Sequence, residues 1–133
     1  MNQDVIENEF ATFHFDNDVL HFTYKPNINL TLSAAKKIVE ERLKLQKGVA
    51  FPVICYMNKV SGSEKPARDY LANEGSELVK AVAVVVKSPA LKIATDFYLM
   101  VNRPLVPTKV FRNKEDALAF LKKYQTDSIP TSK

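Results

Sequence analysis

The chain has 133 residues, 46% hydrophobic and 26% charged, and a net charge of +4 from 19 basic and 15 acidic residues. That composition is of an ordinary soluble globule, long enough for one domain that buries about two-thirds of its unfolded surface. One cysteine excludes an internal disulfide and a cysteine-based zinc site, and no apolar run is long enough to span a membrane.

The acids are scattered among the bases, with no block of like charge, so the surface reads as solvated rather than as a nucleic-acid interface. Only Lys87, Lys92, Arg103, Lys109, Arg112 and Lys114 gather in a short span. The opening MNQDVIENEF lacks a basic-then-apolar secretion signal, which makes cytoplasm the expected compartment.

Residues 1–9 are polar and unpatterned and read as a flexible N-terminus. Residues 10–15 and 19–24 then alternate around Asp16, Asn17 and Asp18. A two-residue turn at Asn17-Asp18 sets Phe15 opposite Leu20 and Phe13 opposite Phe22 on one apolar side. The same register places His14 opposite His21 and Thr12 opposite Thr23 on the other side, expected to be exposed. Thr31 can cap a helix over 32–47, with Leu32, Ala35, Ile38, Val39 and Leu43 inward and Gly48 as its stop.

Residues 49–57 (VAFPVICYM) form a continuous apolar run, hence a buried strand in which Pro52 marks the beginning. The stretch 58–65 (NKVSGSEK) is loop-like, and Pro66 opens a helix, PARDYLANEG, that Gly75 ends or bends. Residues 81–86 hold four valines between Lys80 and Lys87, the pattern of a central parallel strand covered on both faces. Ser88 caps and Pro89 opens the next helix, whose buried stripe is expected at Leu91, Ala94, Phe97, Tyr98 and Val101. Pro104 stops it, 107–111 reads as a last strand, and Asn113 caps a helix that buries Ala117, Leu118, Phe120, Leu121 and Tyr124. Residues 125–133 read as a disordered tail. The order ββαβαβαβα implies a single layered α/β domain over 10–124, with about five strands in a mixed, mostly parallel sheet.

The residues group into no catalytic constellation. Cys55 lies in a buried strand, where a thiol is inert, and no GxSxG elbow exists. His14 and His21 are a weak metal pair with no clear third ligand, so no metal and no cofactor are expected. Three glycines allow neither GxGxxG nor a phosphate loop, although Lys87, Ser88 and Lys92 at a helix start could attract an anion. Asp69 and Glu74 are five apart and do not stack on one helix face. Ser61 and Ser63 precede a helix start where a phosphate would be stabilised, against the simpler reading that Ser63 caps the helix.

The run EKPARDYLANEGSELVKAVAVVVKSPALKIATDFYLMVNRPLVPTKVFRNKEDALAFL resembles small bacterial proteins of unknown function described as STAS-like. These are similar to anti-sigma-factor antagonists of the SpoIIAA type and to the Sec14 lipid-binding fold. The resemblance covers nearly all of residues 10–121 and is carried by ARDYLA, by the central strand with its Ser-Pro, and by PTKVF. STAS antagonists carry an Asp-Ser-Ser-Gly-type motif whose serine a partner kinase phosphorylates. Aligning Val60 with the hydrophobic position upstream of it places Glu64-Lys65-Pro66-Ala67 on that motif, with Lys65 at the phosphorylated position. This departure argues against a phosphorylation switch there. The resemblance implies a fold that binds other molecules rather than transforms them.

The expected function is therefore a non-enzymatic regulatory or protein-interaction module, with another protein as partner. Its surface would be the loop and helix start at Asn58, Ser61, Ser63, Lys65 and Arg68. The alternative is a small carrier for a lipid or other apolar ligand, with Phe97, Tyr98 and Met100 lining a cavity between helix and sheet. A cavity of more than a few hundred cubic ångströms separates the two. A sheet edge at the hairpin or last strand leaves a homodimer open.

Overall fold

The computed structural model describes residues 5–57 and 62–125. Six strands form one sheet in the order β1-β2-β3-β5-β7-β8: β1 (Ile6–Glu7), β2 (Ala11–Asp16), β3 (Val19–Tyr24), β5 (Phe51–Tyr56), β7 (Val79–Val85) and β8 (Thr108–Phe111). A separate two-residue parallel pair joins β4 (Asn29–Leu30) to β6 (Gly62–Ser63). The helices are α1 (Leu32–Gln46), α2 (Lys65–Asn73), α3 (Pro89–Val101) and α4 (Lys114–Gln125), with a 3-10 turn at Glu74–Ser76 after α2.

The hairpin has the register that its alternation requires: Phe13 opposite Phe22, His14 opposite His21, Phe15 opposite Leu20. Asn17 and Asp18 turn it with φ of 53° and 63°, the left-handed pair of a two-residue loop that asparagine and aspartate tolerate. From β3 onward the pairings β3–β5, β5–β7 and β7–β8 are all parallel, each crossed over by a helix. The apolar runs of β5 and β7 thus sit centrally, as continuous hydrophobicity demands. Ile6 and Glu7, read from their polarity as flexible, instead pair with Phe13 and Thr12 and bring the sheet to six strands. Pairing to the exposed edge of β2 supplies backbone hydrogen bonds that the side chains do not advertise.

The caps follow the local signals. Thr31 Oγ1 accepts from the Ala34 N–H, Ser88 Oγ from Leu91 and Asn113 Oδ1 from Asp116. Glu64 begins α2 and instead sends its carboxylate to the Leu32 N–H at the start of α1, at 2.9 Å. Ser63 therefore does not cap α2.

Helices α1 and α2 cover one sheet face, where Ala34, Ala35, Ile38 and Ala67 pack with Phe13, Phe22, Val53 and Cys55. Helix α4 covers the other face, with Ala117 and Leu121 wholly buried against Ile54, Ala81, Ala83 and Val85. Helix α3 lies on the first face over β8, touching Val84, Val86 and Val110 through Leu91 and Leu99. It buries only Thr95. Phe97 is 66% exposed, and Val101 and Ala94 are exposed with it, so the expected buried stripe is not realised. The helix is apolar on most sides, and its sequence leaves the inward face unspecified.

Candidate functional site

Because α3 stands over the sheet without filling the space beneath, a partly open cavity of about 530 Å³ lies between the first sheet face and α1, α2 and α3. Its floor is the apolar alternation of the central strands, including Phe22, Val53, Cys55, Val82 and Val84. Leu71 of α2 and Phe97, Tyr98 and Leu99 of α3 supply the walls. Of the residues expected to line such a space, Phe97 and Tyr98 do so. Met100 does not, being 73% exposed on the outer side of α3. Cavities of this size fall within the roughly 300–1,000 Å³ typical of ligand sites.

The polar groups of the lining are few. Tyr24 and Tyr98 are phenols whose pKa values burial pushes up, and burial pushes the Cys55 thiol up to about 12. All three are neutral, and a thiol held protonated is a poor nucleophile. Among the described residues the charged groups of the lining are Arg42 and Arg68, with no aspartate or glutamate beside them.

Arg42 is 5% exposed. Its Nη1 donates to Gln46 Oε1 and, at 2.9 Å, to the Glu77 carbonyl, while Nη2 donates to the Gly75 carbonyl at 3.2 Å. Gln46 Nε2 in turn donates to the Val49 and Leu78 carbonyls at 2.9 and 2.8 Å. This buried pair ties the end of α1 to the turn after α2. Burial lowers the guanidinium to about 10, which leaves it charged at neutral pH. Sequence reasoning stopped the inner stripe of α1 at Leu43 and passed over Arg42 and Gln46. The signal was available: 35, 38 and 39 continue to 42 and 46 at helical spacing.

Arg68 stands half-buried near the start of α2. Its Nη1 donates to the Ser63 carbonyl at 2.9 Å and to Ser63 Oγ at 3.0 Å. The structure thus brings Ser63 and Arg68 together at the cavity rim, whereas Asn58 and Ser61 lie outside the described residues. Lys65 pairs with Asp69 at 2.8 Å, and Asn102 Nδ2 donates to the other Asp69 oxygen at 2.8 Å, linking α2 to the end of α3. The Lys65 hydrogen bond, followed by that from Asn102, holds the Asp69 carboxyl below its ordinary range.

At the second anion candidate, the Ser88 hydroxyl is engaged as the α3 cap and Lys92 pairs with Asp96 at 2.8 Å. Lys87 is exposed, and its carbonyl accepts from Arg112 Nη2 at 3.0 Å. His14 and His21 stack with ring centroids 4.7 Å apart, on the α4 side of the sheet. His21 is not exposed as the alternation suggested: it is 3% exposed, with Nδ1 3.1 Å from the Tyr56 hydroxyl. The strand β5 and helix α4 cover what an isolated hairpin would leave open. Among the described residues no group of three His, Cys, Asp or Glu side chains could hold a metal. Among them also, no helix is long and apolar enough to cross a membrane.

A family profile described as a domain of unknown function, DUF7793, matches residues 13–125. The chain belongs to this family. No curated protein matches it. Among solved structures it is similar to an uncharacterized protein of the DUF3478 family with a SpoIIAA-like fold from Shewanella loihica PV-4. The identity is 15%, the match covers 90% of this chain and 92% of that one, and the TM-score is 0.56. The family member described here therefore has a SpoIIAA-like α/β fold, in keeping with the STAS-like resemblance of its sequence. At that identity the likeness concerns the fold alone.

Proposed function

We propose that the protein is a non-enzymatic binding module that carries a small apolar ligand between α3 and the sheet. The observation that supports this reading is the cavity of about 530 Å³, floored by valines and aromatic side chains between the sheet and three helices. A closed core normally holds few voids larger than a water molecule, so an apolar space of this volume calls for an occupant. The neutral phenols and thiol of the lining give it binding character without an activated nucleophile.

Native mass spectrometry on protein purified gently from its own host tests the reading. A co-purifying mass of lipid size is expected, together with binding of a fluorescent apolar probe that this mass displaces. Protein that is bare and takes up no probe would overturn the carrier. A regulatory protein-interaction role is the second reading. It is supported by the apolar residues that α3 and the turn after it turn outward, Ile93, Met100 and Leu105 among them. A co-purifying polypeptide would favour it.

A further inference from the structure

Among the described residues that line the apolar cavity, the formal charges belong to Arg42 and Arg68. Neither arginine belongs to any of the ion pairs found within 4.0 Å among the described residues. The carboxylate nearest Arg68 in sequence, Asp69, is turned to Lys65 and Asn102. Glu77 and Asp69 contribute to the field at Arg42 and Arg68, but no carboxylate is bonded to either guanidinium among the described residues, so an anionic ligand can supply charge-assisted hydrogen bonds that the fold does not.

The two arginines differ in what they can still donate. Arg42 has both Nη1 protons and one Nη2 proton committed to carbonyl oxygens deep in the fold, so it is a staple. Arg68 spends only Nη1, on Ser63, at the rim. Its remaining Nη2 and Nε edge has the fork geometry that matches a carboxylate or phosphate with two parallel hydrogen bonds. Tyr98 belongs to the same lining, and its phenol lies within electrostatic reach of both Arg68 and Asp69. At about 30 Å³ for each water-sized group, a space of 530 Å³ takes on the order of fifteen non-hydrogen atoms.

Resting on the carrier reading, we infer that the ligand is a single-chain amphiphile with an anionic head, its chain on the valine floor and its head on Arg68. The head is a carboxylate or a phosphate monoester, which share the chemistry that Arg68 recognises.

Calorimetric titration with dodecanoate, dodecyl phosphate and dodecanol tests this. At least one anion is expected to bind tenfold or more tightly than dodecanol, the worth of charge-assisted hydrogen bonds, and which anion does so assigns the head. Arg68→Met should bring that anion to the level of dodecanol and leave dodecanol unchanged, with the melting temperature as the check on folding. The comparison of anions with dodecanol on the native protein needs no variant, so the test survives a variant that fails to fold. Equal binding of all three, or an anion preference that persists in Arg68→Met, would overturn the inference. If only dodecanol binds, the anionic class falls and the carrier stands; if none binds, both fall.

Discussion

His21 is buried neutral, and acidification should destabilise the protein through it. Burial first, then the positive charges of His14 and Lys114, lower its pKa from 6.5 to about 4, with Asp16 opposing. Between those values the unfolded chain binds a proton that the folded chain refuses. Its contribution is therefore complete above pH 6.5 and is lost as pH falls toward 4. At pH 5, folded and unfolded values of 4 and 6.5 correspond to about 2 kcal/mol, and solvent screening on the open His14 side reduces this to about 1 kcal/mol. The comparison is His21→Phe, which keeps an aromatic ring against His14 and Tyr56 and removes the titration. Urea unfolding of both proteins at pH 7 and pH 5 gives a double difference that isolates what His21 contributes. The native protein should lose about 1–2 kcal/mol more than the variant. Equal losses would refute the reasoning, and a native protein stabilised at pH 5 would mean that folded His21 carries the charge.

The two faces of β7 should respond unequally to added volume. Val84→Phe, on the cavity floor, should cost less than about 1 kcal/mol and abolish apolar-probe binding, because empty space receives the ring. Ala83→Val, one residue earlier and wholly buried under α4, should cost about 1–3 kcal/mol by overpacking, and chemical denaturation checks both. Thr31→Ala removes the acceptor of the Ala34 N–H and should lower stability by about 1 kcal/mol, read from the urea midpoint. A smaller effect would mean that the Glu64 carboxylate, already on the Leu32 N–H, holds the start of α1 alone.

Where the chemistry is local, the sequence is decisive. A period of two admits one register for the hairpin, so the pairing of Phe13 with Phe22 and of His14 with His21 follows from alternation. The caps at Thr31, Ser88 and Asn113 follow because a side-chain oxygen next to free N–H groups needs no distant partner. The unbroken apolar runs place β5 and β7 at the centre of a parallel sheet, and with the order of elements they carry the SpoIIAA-like fold.

The site was less legible. Phe97 and Tyr98 were read as candidate cavity residues, but the same periodicity placed Phe97 and Val101 in a buried stripe that the structure turns to solvent. A helix apolar on most sides has no unique inward face, and a stripe of side chains carries no information on how far the helix stands from the sheet. Arg42, the cross-chain role of Glu64 and the Asp69–Asn102 link join residues roughly thirty positions apart, beyond any local pattern. The sequence by itself determined the hairpin and its register, the central strands β5 and β7, the caps of α1, α3 and α4, and the burial of Cys55. Only the tertiary structure decided that α3 leaves a cavity and that two arginines face it, because gaps and the company a charge keeps arise between elements and not within them.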